Sequence, residues 1–156
     1  MSDREIVARV ASGVAAFDAA DWDTCAGTDN PFLSHAFLSA LEESGSATGR
    51  TGWQPAPIAI DGPDGHPAAV MPAYIKSHSQ GEYVFDHAWA DAYAHAGGRY
   101  YPKLQVAVPF TPVPGRRLLC RDATLAPALI PAARPLRCAD MLTYLPLSAL
   151  MTTKMP

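Results

Sequence analysis

Proline limits this fold more than any other residue. Fifteen prolines are spread through 156 residues, and each removes a backbone donor and locks φ, so long helices and unbroken ladders are excluded over much of the chain. Helical periodicity survives only where proline is absent. Asp3 to Ala16 sets Ile6, Val7, Val10 and Val14 against Arg4, Glu5 and Arg9, which predicts an amphipathic surface helix. SHAFLSALEESG predicts a second, starting near Ser34, with Phe37, Leu38 and Leu41 on one face and a stop at Gly45. FDHAWADAYAHA predicts a third, whose face of Phe85, Trp89, Ala92, Tyr93 and Ala96 is expected to pack into the core before Gly97-Gly98 ends it.

Elsewhere the period is two. Ile58 and Ile60 alternate with Ala59 and Asp61, GPDG turns, and Ala69, Met71, Ala73 and Ile75 continue extended, a pattern that predicts an antiparallel hairpin. Pro55, Pro57, Pro67 and Pro72 are expected to face outward at an edge or to sit at bulges. KLQVAVPF reads as the best strand, running to Phe110, where TPVPGRRLL makes it splay from its neighbour. Trp22 reads as a core plug, and the small polar run SGSATGRTG as a mobile loop. After Cys120 prolines interrupt every apolar run and valine is missing, so neither a long helix nor a good strand is expected. The chain therefore divides into a folded part, 1–120, and a proline-rich tail, 121–156.

A length of 156 residues, 49% of them hydrophobic, suits one domain with a real core. A net charge of −3 offers no basic field for duplex nucleic acid. MSDREIVARV resembles neither a signal peptide nor a membrane span, so a cytoplasmic location is expected. Cys25, Cys120 and Cys138 are too widely spaced for a disulfide framework or a CxxC zinc site and read as reduced thiols.

Chemistry-bearing residues crowd between Lys76 and Leu119, where tyrosines, Trp89, His78, His87, His95 and the acids Glu82, Asp86 and Asp91 suit an apolar cleft with a few polar groups. His87, Asp91 and His95 form a row along the third helix. That row spans roughly 12 Å along the axis, too far for one ion, so no metal is expected.

The residues NPFLSHAFLSALEESG and AAVMPAYIKSHSQGEYVFDHAWADAYAHAGGRYYPKLQVAVPFTPVPGRRLL closely resemble the N-terminal part of the FemAB-like branch of the GNAT acyltransferase superfamily, peptidoglycan-biosynthesis-type proteins. The resemblance runs from about Ala16 to Leu119. It implies an α/β (α+β) fold with a GNAT-like, mainly antiparallel sheet flanked by helices. Members are usually more than twice as long, so the chain is expected to be an incomplete half of a two-lobed fold with a truncated or misjoined end. The implied activity is transfer of an acyl or aminoacyl group, from acyl-CoA or aminoacyl-tRNA, to an amine on a small molecule or cell-wall precursor. The alternative is a truncated, non-catalytic fragment or binding module. Acyl transfer needs a base for the amine and donors for the oxyanion. The base candidates are His87, Asp91, Asp86 and Glu82. Gly115, Arg116 and Arg117 are candidates for the donor's phosphates, and Trp89, Tyr100, Tyr101 and Lys103 for the acceptor groove.

Overall fold

The structure, a computed structural model, describes residues 6–82, 85–133 and 150–153. In chain order its elements are β1 (Ile6–Val10), α1 (Ala19–Ala26), α2 (His35–Glu43), β2 (Trp53–Pro55), β3 (Ile58–Asp61), β4 (Pro67–Met71), β5 (Tyr74–Lys76), α3 (His87–His95), β6 (Lys103–Gln105), β7 (Leu119–Cys120), α4 (Ala126–Ala133) and β8 (Leu150–Thr153). They form an α+β fold with a five-stranded sheet in the order β7-β4-β3-β1-β8 and a three-stranded sheet in the order β2-β5-β6. Every described strand pair is antiparallel.

Alternation sorts the large sheet's side chains between two cores. Ala59, Val70 and Leu119 join Trp22, Cys25 and Leu38 from α1 and α2, while Ala8, Ile58, Ile60, Ala69 and Met71 join Ala128, Leu129 and Ala132 of α4. Helices thus cover both faces. Trp22 is fully buried, as its sequence context predicts, with its indole N–H donating to Leu33 O at 2.9 Å.

The sequence between Asp3 and Ala16 forms no α-helix over its described part, only a single 3-10 turn at Val14–Ala16. Residues 6–10 are β1, paired with β3 on one side and β8 on the other. A strand flanked on both sides and covered on both faces carries a nearly continuous apolar run, and IVARV mimics a helical stripe for that reason. Arg9 reaches Asp61 at 2.8 Å and lies 4.7 Å over the Phe17 ring.

Helix α1 goes unannounced by long periodicity. Its start is nevertheless written in Asp18, whose carboxylate accepts from Ala20 N and Asp21 N, and its core face is Trp22, Cys25 and Ala26. Helix α2 begins at the expected cap, with Ser34 Oγ accepting from Phe37 N. SGSATGRTG is a hydrogen-bonded turn around fully buried Ala47, with Thr48 and Thr51 bonding across it.

The β3–β4 hairpin forms with Ile58 opposite Met71 and a register shift at Ile60/Asp61. Its second extended run does not continue in one sheet: it breaks at Pro72-Ala73, and β5 pairs instead with β2 and β6. Pro55, Pro57, Pro67 and Pro72 are buried and do not face outward, although Pro67 does sit at the register shift, opposite Asp61. Pro55 to Pro57 and Pro72 stand where the chain crosses between sheets, so rings pack inward at corners where a ladder donor is not needed. The strand expected to reach Phe110 stops at Gln105. Val108 then turns into the core at 2% exposure, and Phe110 takes a left-handed φ of 59°.

The proline-rich region contains a 3-10 turn at Ala123–Leu125, helix α4 and strand β8. Helix α4 tolerates Pro127 in its first turn, carries Pro131 inside and buries Leu129 completely. Residues 150–153 make β8 despite the lack of valine, because β1 supplies a ladder. Cys138 lies outside the described residues; Cys25 and Cys120 are free thiols.

Candidate functional site

The chemistry gathers on the small sheet. In β5, Tyr74 and Lys76 point the same way, so the pleat that buries the tyrosine also buries the lysine; both are essentially inaccessible. Lys76 Nζ donates to Gln80 O at 2.8 Å, sits 3.8 Å over the Trp53 ring and lies 4.0 Å from Glu82 Oε1. Burial lowers its pKa, and the Glu82 charge partly restores it.

On the neighbouring edge strand, Lys103 Nζ bonds Glu82 Oε2 at 3.2 Å and also Asp86 Oδ2. The Tyr101 hydroxyl donates to Asp86 Oδ1 at 2.6 Å, and the Tyr100 hydroxyl bonds the same carboxylate. Burial opposes the charge on Asp86, but hydrogen bonds from Lys103, Tyr101 and Tyr100 and the Lys103 charge outweigh it and hold the carboxyl at about 2. Lys103 is pushed up by the same contacts against its own desolvation. Burial and the bond to Asp86 also raise the Tyr101 hydroxyl. His87 is 3.1 Å from Ser79 Oγ through Nδ1. One carboxylate oxygen, Glu82 Oε1, is buried with no hydrogen-bond partner among the described residues.

Gly81 lets this loop close. Its φ is +81°, and an added Cβ would lie 2.6 Å from the Phe110 ring and 2.9 Å from Trp53 Nε1. Gly81→Ala is expected to cost about 2 kcal/mol, combining left-handed strain with the clash. Denaturant unfolding measures it, and a loss below about 0.5 kcal/mol would show that the loop can move aside.

Five residues singled out in the sequence therefore meet, Glu82, Asp86, Tyr100, Tyr101 and Lys103, while His87 is exposed and contacts Ser79 and Phe85 instead. Asp91 is exposed and does not join them; its carbonyl accepts from His95 Nδ1 at 2.7 Å. Trp89 is 74% exposed, so the aromatic face of α3 does not pack into the core as expected; α3 buries no residue at all. Trp89→Ala is accordingly expected to change stability by less than about 1 kcal/mol in thermal or denaturant unfolding. Tyr83 lies outside the described residues. Gly115 and Arg116 line a separate cleft of about 480 Å³ with Asn30, Pro31 and Phe32, sharing no residue with the cluster. Arg117 turns back on its own chain, donating to Val113 O and Arg116 O. Lys76 and Ser79 were not singled out. The readable signal for Lys76 was a lone cation in phase with buried Tyr74.

A family model described as FemAB-like, peptidoglycan biosynthesis/recognition, matches residues 13–141. The chain belongs to the FemAB-like family. The match takes in the whole polar cluster and extends beyond Leu119, where the resemblance in the sequence ends. No curated protein and no solved structure matches the chain. The FemAB-like assignment carries a peptidoglycan-related role. Among the described residues, no helix is long and apolar enough to cross a membrane, and no group of three His, Cys, Asp or Glu side chains is arranged to hold a metal ion.

Proposed function

We propose that this FemAB-like chain moves an acyl or aminoacyl group, from a thioester such as acetyl-CoA or from charged tRNA, to an amine of a cell-wall precursor. The supporting observation is the convergence of Glu82, Asp86, Tyr100, Tyr101 and Lys103 within the family-matched segment. In the reaction the amine nitrogen bonds to the acyl carbon, the carbon–sulfur or ester carbon–oxygen bond breaks, and two ammonium protons leave, one to solvent as the neutral amine forms and one to the departing thiolate or ribose oxygen. Asp86 is too acidic at about 2 to take either proton efficiently near neutrality, so it serves as a fixed anion for the acceptor ammonium. His87, beside Ser79, takes the second proton and passes it to the leaving thiolate or ribose oxygen. Lys103, whose ammonium keeps a third N–H beyond its bonds to Glu82 and Asp86, supplies a donor for the developing oxyanion. Gly115 and Arg116, in their open cleft, meet the donor's phosphates.

A second reading, a recognition module without turnover, draws on one observation: Lys103 already neutralises Glu82 and Asp86 from within the chain. Mass spectrometry of a wall peptide bearing a free amine, incubated with the protein and each donor, separates the two. Acylated peptide that disappears with His87→Ala supports transfer. Peptide binding without product under either donor supports recognition. A thermal midpoint unmoved by millimolar acetyl-CoA removes coenzyme A as donor.

A further inference from the structure

Helix α3 presents an aromatic surface that, among the described residues, stays largely exposed. Trp89 and Tyr93, four residues apart, share one stripe and are 74% and 54% exposed; Phe85, at the helix's start, is 65% exposed and stacks on the His87 ring at 5.6 Å. This surface is joined to the polar cluster. Tyr93 meets Tyr100 at 6.2 Å between ring centroids, Tyr100 meets Tyr101 at 5.0 Å, and the Tyr101 hydroxyl donates to Asp86. An extended ligand could lie along the rings with its reacting end at the carboxylates.

We propose that these rings are the saccharide subsite of the acceptor, taking the flat C–H faces of β-1,4-linked amino sugars while the attached peptide amine reaches Asp86. This rests on the acyl-acceptor reading above. The surface is chemically matched to a neutral glycan: broad, rigid, apolar faces border hydroxyl, imidazole and carboxylate groups that hydrogen-bond sugar hydroxyls. Two other occupants fit less well. The three side chains expose roughly 400 Å², about half of what each partner contributes to a standard protein interface, so a second copy would be held weakly. An interfacial helix on anionic lipid needs a basic polar face, whereas HAWADAYAH contains Asp91 and neither lysine nor arginine.

The three tryptophans make the test selective. Trp22 and Trp53 are 0% and 1% exposed, so a ligand-induced shift of solvent-exposed emission reports Trp89. Titrating the full chain with a hexamer of β-1,4-linked N-acetylglucosamine is expected to move that emission to shorter wavelength in a saturable way. By calorimetry, Trp89→Ala and Tyr93→Ala are each expected to bind at least about tenfold more weakly with an unchanged melting midpoint. No emission change at millimolar hexamer would overturn the proposal. So would unchanged affinity in both variants, or a shift produced only by anionic vesicles or by raising the protein concentration. Acyl transfer to a sugar-free wall peptide, with no hexamer binding, would sink the sugar subsite and leave the transferase reading standing. Hexamer binding lost in Trp89→Ala but accompanied by no transfer would do the reverse.

Discussion

Lys103→Met is expected to cost about 3 kcal/mol of folding stability and to reduce acyl transfer by more than about a hundredfold. Lys103 is the only cation bonding both Glu82 and Asp86 among the described residues, and those side chains are just 6% and 12% exposed. Methionine fills similar volume without charge and leaves two poorly solvated carboxylates facing each other. The pH dependence identifies the cause. Asp86 sits at about 2, below its ordinary 3.8, so its ionised form stabilises the fold above pH 4, and that contribution, about 2 kcal/mol, disappears as pH falls toward 2. In Lys103→Met the hold on Asp86 weakens and this acid-side loss shrinks. Guanidinium unfolding between pH 2 and 5 measures both effects, and Lys103→Met combined with Asp86→Asn should recover part of the loss. A cost under about 0.5 kcal/mol would mean that solvent screens the cluster as it does a surface pair.

The site was legible where it depended on residue density along the chain and illegible where it depended on sheet geometry. Glu82, Asp86, Tyr100, Tyr101 and Lys103 stand out because acids, tyrosines and a lysine crowd one stretch, and folding needs only α3 and one turn to bring them together. Lys76 was hidden because its role comes from pleat direction: it shares the buried face of β5 with Tyr74, which becomes apparent only once the run breaks at Pro72 into two sheets. Helix α2 and the β3–β4 hairpin were readable because cap, period and turn agree locally. Residues 6–10 misled because a strand covered on both faces and a helical stripe look alike over five residues. The same ambiguity inverted α3: an aromatic stripe at helical spacing signals burial of some kind, and periodicity cannot distinguish a core from a surface awaiting a ligand. The prolines were read for the donor they lack, and their behaviour at sheet corners follows from the same property.

A final test concerns a carboxyl that the proposed chemistry does not use. Glu42, late in α2, accepts from Val14 N at 2.8 Å through one oxygen, while the other, Oε1, is buried without a hydrogen-bond partner among the described residues, as is the hydroxyl of Tyr74. Burial pushes Glu42 up from 4.5 to about 7, with the Val14 N–H pulling the other way and Glu43 adding to the rise. A raised folded-state pKa means that the native protein holds this proton more tightly than the unfolded chain does. Stability is therefore unaffected by Glu42 below about pH 4.5, falls as pH rises from there to 7, and levels off above, for a total of about 3 kcal/mol. Glu42→Gln cannot ionise and keeps an oxygen for Val14 N–H. It is expected to match the native protein near pH 4.5 and to exceed it by about 2–3 kcal/mol at pH 8. Urea midpoints at the two pH values decide the matter: equal pH slopes in the two proteins would mean that Glu42 is already ionised and solvated at neutrality, and that α2 packs less tightly over Val14 than the structure describes.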